Sequence, residues 1–397
     1  MAGFEKDERV VMTLDAGGTS FRFSAMRGNK QITNTVVVPS HGDDLNTCLA
    51  NIVNGFAQVK SQCPAPPVAI SFAFPGPADY PNGIIGDLGN LPCFRGGVAL
   101  GPMLEEEFGV PVFINNDGDL FAYGEAIAGF LPYVNGLLEK EGSPKRYKNL
   151  LGVTLGTGFG GGIVRAGELF IGDNSIAGEV WLLRHKTHPQ MNAEEGASIR
   201  AVRGVYARLA DIPIEQAPDP RAIAQIALDK KSANAAAAVE AYRQLGEVVG
   251  DAMANALTLI DGLAVIGGGI SNAHQLFLPS LVEELNGNYI GPKGNIYRRL
   301  ASVGFNLEDP TQLEKFLRGS TREIAVPGSD RKIKYDPIQR VGIGISRLGT
   351  SEAVAIGAYA FALRKLNDGV NNFRRAKVNS SLQAELGEDR TINNLPA

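Results

Sequence analysis

The chain has 397 residues, 44% of them hydrophobic and 20% charged, with a net charge of −4 at pH 7. That length is too great for one core, so a globular chain of two domains is expected. No block of Lys and Arg stands out, which makes nucleic acid and anionic membrane surfaces poor candidates for the main partner, and no apolar run approaches the ~18 residues of a membrane span.

Glycine supplies 48 residues, against a usual share of roughly 7%, and gathers in a few loops, as close backbone approach to a ligand requires. Cys48, Cys63 and Cys93 all fall in the first quarter, which fits a reducing compartment without a disulfide framework. The opening MAGFEKDERV lacks the apolar segment of a secretory signal. A cytoplasmic location is expected.

In chain order, Val10 to Asp15 is a short continuous apolar run, read as a buried strand. Gly17-Gly18-Thr19 turns it, and the alternation from Ser20 to Ala25 returns as a second strand. Backbone N–H groups and a hydroxyl at such a tip can meet phosphate, with Asp15 beside them to hold Mg²⁺ through water. Asp-x-Gly-Gly also makes ordinary hairpins. Gly28-Asn29 can turn the chain again, and Asp43 to Val59 has helical spacing with Asp43 or Asp44 as N-cap. Val68 to Phe74 is a buried strand ending in the rigid turn Pro75-Gly76-Pro77-Ala78-Asp79. Gly89-Asn90-Leu91-Pro92 is a loop and Leu100 to Phe108 a short helix. The next strand, Val110 to Ile114, runs into Asn115-Asn116-Asp117, and helical composition follows from Gly118 to Ile127. Strand ends line the ligand crevice of open α/β sheets, so Asp117 is a candidate active carboxylate, although capping a helix is the commoner role there.

The opening pattern then returns. Leu150 to Leu155 is a strand, Gly156-Thr157-Gly158 a turn and Gly161 to Val164 a returning strand. The two hairpins lie about 140 residues apart, too far for a solenoid repeat, and indicate a duplicated α/β unit with a phosphate-binding turn in each copy. Gly156 to Gly161 also fits G-x-G-x-x-G, but that motif must open a helix; glycine and β-branched residues follow here, so a Rossmann site is rejected. Ala177-Gly178-Glu179 precedes Trp181, the only tryptophan, and Glu194-Glu195 precedes a helix through Leu209. Residues 211–260 read as mostly helical, with an alanine-rich run at Ala233 to Val239 and a second helix to Leu259. Leu263 to Ile266 is a strand feeding Gly267-Gly268-Gly269, and Ser271 to Leu285 is helical. Residues 286–342 read as an insertion of strands and loops, Leu348 to Leu363 as a closely packed helix, and 367–397 as a polar tail.

The ordered set DAGGTSFR, FPGPAD, GNLP, INNDGDLFAYGE, LGTGFGGGIV, AGE and IGGGI resembles the ROK family (repressors, uncharacterised frames, sugar kinases) of the actin-like ATPase superfamily. The resemblance implies an α/β fold of two ribonuclease H-like domains with a cleft between them. The expected division is 1–115 plus 351–366 for the small domain and 116–350 for the large one. It also implies an ATP- and Mg²⁺-dependent kinase acting on a hexose hydroxyl, most often at the 6-position, with glucose the expected substrate. Fructose, mannose, an N-acetylated amino sugar, or a non-catalytic sugar sensor are the alternatives. By the same resemblance Asp117 is the catalytic base. Asn90, Asn116, Glu179 and Glu194 (with Glu195 one place away) bind sugar. Asp15, Gly17, Gly18, Thr19, Thr157 and Gly158 bind phosphate, and Gly267, Gly268 and Gly269 receive adenosine. A homodimer is the assembly expected of the family.

The departures from the family pattern are as informative. Val180-Trp181-Leu182 stands where a Gly-His pair is usual, and no cysteine follows Cys93. His185 and His188 alone make a poor structural zinc site, so no zinc is expected. The DNA-binding branch carries an N-terminal helix-turn-helix, whereas the first strand here starts about ten residues in, which argues against a repressor.

Overall fold

The strand pair expected around Asp15 is present. The computed structural model describes residues 3–76, 78–86 and 91–388. β1 (Val10–Ala16) and β2 (Ser20–Arg27) run antiparallel with Asp15 opposite Arg22. Phe21, Phe23 and Ala25 of β2 all point into the core, as a strand's two-residue period requires. Gly28 and Asn29 both have positive φ, 57° and 62°, which suits a two-residue hairpin leading to β3 (Lys30–Gln31) and β4 (Val36–Pro39). The first helix, α1 (Leu45–Gln62), is capped by Asp44, whose carboxylate accepts the Thr47 N–H at 2.6 Å. β5 (Pro67–Ala73), β6 (Ala78–Asp79), β7 (Ile84–Ile85), α2 (Leu100–Phe108) and β8 (Val112–Asn115) complete this half.

α3 (Asp117–Ile127) is followed by α4 (Phe130–Lys140), a helix that the sequence reading did not find. The repeat hairpin is β9 (Leu150–Leu155) with β10 (Phe159–Arg165), then β11 (Glu168–Phe170). After α5 (Ile199–Ala210) and α6 (Pro220–Leu228), the alanine-rich run and its successor form one helix, α7 (Ala235–Ile260). β12 (Leu263–Gly267) and α8 (His274–Leu285) come next. The hairpin β13 (Asn288–Ile290)–β14 (Ile296–Arg298), β15 (Val303–Asn306), α9 (Pro310–Arg318), the hairpin β16 (Arg322–Ala325)–β17 (Lys332–Tyr335) and β18 (Arg340–Ile345) follow. The chain closes with α10 (Thr350–Glu388).

The two sheets repeat one plan. The first is ordered β3-β2-β1-β5-β8, the second β11-β10-β9-β12-β18-β15. In each, an antiparallel hairpin leads into parallel strands. This is the duplicated α/β architecture. α1 and α2 cover the outer face of the first sheet through a run of edge-on phenylalanines, Phe23 and Phe56 at 5.0 Å among them. Ile356, Tyr359 and Leu363 of α10 cover its inner face. α3 lies on the inner face of the second sheet, and α5, α7 and α8 on the outer. α3 and α10 meet between the sheets so closely that a Cβ on Gly124 would collide with the Ala353 carbonyl oxygen, and one on Gly357 with that of Leu120. Buried Glu125 fastens the approach to α10, accepting the N–H groups of Phe130 and Leu348 at 2.7 and 3.2 Å.

Two expectations need correction. Residues 286–342 are no mere insertion, because β15 and β18 are strands of the main sheet; only the two hairpins stand out, with every strand residue exposed. β18 escaped notice because Gly342 and Gly344 interrupt its apolar pattern, leaving room that Leu307 and Phe130 fill. The final helix also runs well past Leu363. No proline interrupts 367–388, so nothing in the backbone ends it there; 389–397 lie outside the described residues.

Candidate active site

β1 and β5 are parallel and adjacent, so their carboxyl ends open on the same side, where α3 and α10 both begin. There Asp15, Arg22, Phe74, Pro75, Asp117 and Thr350 line a cavity of about 400 Å³. The glycine tip beside Asp15 is shaped by Ser40, which donates its hydroxyl to the Gly18 carbonyl at 2.6 Å and its N–H to that of Thr19 at 3.1 Å. Gly17 closes the turn by donating to the Ser20 carbonyl at 3.1 Å.

Asn116 caps α3, and the Gly118 N–H is shared between Asn116 Oδ1 at 2.8 Å and Asp117 Oδ1 at 2.9 Å. Asp117 is thereby held at the helix mouth, open to the cavity and otherwise ringed by protein. That partial burial pushes its carboxyl up; the N–H groups of Gly118 and of Asp117 itself oppose the shift, and the Asp15 charge adds to it. A carboxylate with a raised pKa at the rim of a cavity is a proton acceptor poised closer to neutrality.

Small residues bring the second half to this point. Gly118 lies against Gly161, and Gly161 in turn against the Gly178 carbonyl and Val180, so closely that a Cβ at either position would clash. The Gly178 to Leu182 segment therefore rides on β10 beside the start of α3. Its Glu179 accepts a short hydrogen bond from Trp181 Nε1. Asn116, Asp117, Asp119 and Glu179 all act on the Tyr80 hydroxyl, which donates to the Phe74 carbonyl at 3.0 Å. Asn116, Asp117 and Glu179 thus gather around Tyr80 together with Asp119; Tyr80 and Asp119 are not among the candidates the sequence offers. Tyr80 stands outside every motif, and Asp119 reads in sequence as a helix-start acid.

The remaining candidates are distributed around it. Gly267 and Gly268 reach the cavity through Thr350, whose hydroxyl accepts the Gly268 N–H at 2.9 Å. Gly269 opens the short helix that follows. Thr157 and Gly158 form the tip of the β9–β10 hairpin, where the carbonyl of Gly156 accepts the N–H of Ile199 at 2.9 Å. Glu194 is turned to this second tip: Oε2 accepts the Phe159 N–H at 3.0 Å, and Oε1 pairs with Arg200 at 2.8 Å. Among the described residues no hydrogen bond or ion pair joins Glu194 to Glu179 or Asp117. Glu195 is held by Arg200 as well. Asn90 lies outside the described residues.

The chemistry at Asp15 fits a hard divalent cation. Its carboxylate is exposed and belongs to no salt bridge among the described residues, and oxygen donors of this kind hold Mg²⁺ beside phosphates. His185 and His188 pack edge to face at 4.9 Å, and His185 Nδ1 accepts the N–H groups of Thr187 and His188. Among the described residues no three His, Cys, Asp or Glu side chains converge as a metal site.

The ROK family model matches residues 11–301. The chain belongs to the ROK family. It is 52% identical to a glucokinase from Parabacteroides distasonis, covering 92% of this chain and 99% of that one with a TM-score of 0.83. The N-acetyl-D-glucosamine kinase of Photobacterium profundum is 28% identical over 281 residues, 66% of this chain and 85% of that one. A ROK family glucokinase from Streptomyces griseus, solved in complex with glucose and AMPPNP, shares the fold at 18% identity, with a TM-score of 0.55 and coverage of 88% and 98%. Among the described residues no helix of this ROK chain is long and apolar enough to cross a membrane.

Proposed function

We propose that this ROK protein is a glucokinase, transferring the γ-phosphoryl group of ATP to the 6-hydroxyl of glucose. The observation that carries this reading is the placement of Asp117 and Asp15 on one cavity, with Asn116, Asp117 and Glu179 all acting on the Tyr80 hydroxyl. Asn116 and Glu179 hold the sugar so that its primary hydroxyl faces the phosphate, joined by Asn90 and, on domain closure, Glu194. Asp117 accepts the hydroxyl proton as transfer proceeds. The transition state is loose, so positioning and charge neutralisation do more than the base. Mg²⁺ held at Asp15 supplies part of that neutralisation when bound. The N–H groups of the Gly17 to Thr19 and Thr157 to Gly158 turns supply the rest, and the Gly267 to Gly269 loop seats the adenosine.

A second reading, an N-acetylated amino sugar as acceptor, is favoured by the likeness to the N-acetyl-D-glucosamine kinase of Photobacterium profundum; the 52% identity to a glucokinase favours glucose. A coupled assay of ADP release over glucose, mannose, fructose, N-acetylglucosamine and N-acetylmannosamine separates them. Glucose should give the highest kcat/KM. Release that ignores sugar means an ATPase, and tight sugar binding without release means a sensor.

A further inference from the structure

Asp119 is a carboxyl beside the site that has no part in the proposed transfer. It is 3% exposed, its Oδ1 has no hydrogen-bond partner among the described residues, and the charges of two further carboxyl groups, Glu179 and Asp117, act on it. From α3 the charged neighbour is Asp117, from the Gly178 to Leu182 segment it is Glu179, and Tyr80 adds a neutral hydroxyl. β10 packs Gly162 against its Cα and offers no titratable group there. No cation pairs with it among the described residues. An ionised carboxylate cannot rest unpaired in such a place; burial first, then Glu179 and Asp117, push its pKa well up. A neutral Asp119 carries a proton with no acceptor among the described residues. Glu179, for its part, has one oxygen taken by Trp181 and no other hydrogen-bond donor among the described residues.

We propose that Asp119 is a positioning residue that works as the neutral acid, donating a hydrogen bond from its carboxyl O–H to the free side of Glu179 as the sugar site closes, so that turnover falls at high pH as that proton is lost. The inference rests on the reading of Glu179 as a sugar ligand and Asp117 as the base. Loss of the proton would leave Glu179 without its donor and add a third negative charge where the γ-phosphate must come.

The test uses the full-length enzyme with Asp119→Asn and Asp119→Leu. Asn keeps a donor and cannot ionise. It should hold kcat and the sugar KM within about threefold of wild type at pH 7 and move the alkaline limb of kcat/KM up by about one pH unit or more. Leu should raise the sugar KM about tenfold, as loss of a hydrogen bond to a charged group implies, while the KM for ATP stays put. A drop of more than tenfold in kcat for Asn, or an alkaline limb unmoved, overturns the proposal.

Thermal melts give a readout independent of turnover. Because the folded pKa of Asp119 is raised, wild type loses stability as pH rises from the ordinary carboxylate range through the folded value, and Asn does not. The Tm advantage of Asn over wild type should therefore grow from pH 5 to pH 9; an equal difference at both ends contradicts a neutral Asp119. If instead no hexose elicits ADP release, or Asp117→Asn keeps full turnover, the kinase reading fails and the melts still decide Asp119.

Discussion

At the scale of single residues, the proposed reaction rests on Asp117 as its base. Desolvation at the cavity rim, with the Asp15 charge adding to it, raises its pKa, and a base must be ionised to act, so activity falls as pH drops through the raised value. The acid limb of kcat/KM should accordingly lie above the ~3.9 of an ordinary aspartate, measured over pH 4 to 8. Asp117→Asn should lower kcat by at least about 100-fold while calorimetry finds sugar affinity nearly unchanged; near wild-type turnover would remove Asp117 from its role. Trp181 does a different job. Its indole N–H fixes Glu179, so Trp181→Phe should raise the sugar KM about tenfold or more, the loss of a hydrogen bond to a charged acceptor being about 1.5–3 kcal/mol, with kcat close to wild type.

The elements that matter most are α3 and α10, because one presents Asp117 and the other Thr350 to the same cavity. Their contact depends on glycine. Gly124→Ala should destabilise the protein by about 1–3 kcal/mol or more, as overpacking does, read as a lower urea midpoint. Thr350→Val removes the acceptor of the Gly268 N–H and should raise the KM for ATP while leaving that for glucose alone. Much of this scaffold was legible beforehand. β1 and β9 are uninterrupted apolar runs closed by glycine, and Asn116-Asp117 falls between a strand and a helix, so local pattern alone placed them. β18 was not legible, since its glycines make sense only against Leu307 and Phe130. Asp119, Tyr80 and Thr350 were missed for a related reason: their neighbours come from distant parts of the chain. Trp181 was noticed as unique, but its partner Glu179 emerged only from the fold.

For the molecule as a whole, duplication explains why one crevice can serve nucleotide and acceptor together. Each half contributes a hairpin with a glycine tip, and the paired helices α3 and α10 hold the halves back to back. Glu194 accepts the Phe159 N–H and pairs with Arg200, so on the proposed reading the sugar hydroxyls must draw it from these partners as the halves close. Closure of this kind keeps water from the phosphate, and ADP release without sugar should be a small fraction of the sugar-dependent rate. The most direct measurement is a crystal structure with glucose and a non-hydrolysable ATP analogue bound together. The account predicts the glucose 6-hydroxyl within hydrogen-bond reach of Asp117, about 2.6–3.2 Å, and facing the γ-phosphate in line. A different hydroxyl at Asp117, or a sugar seated away from Asn116 and Glu179, would contradict it.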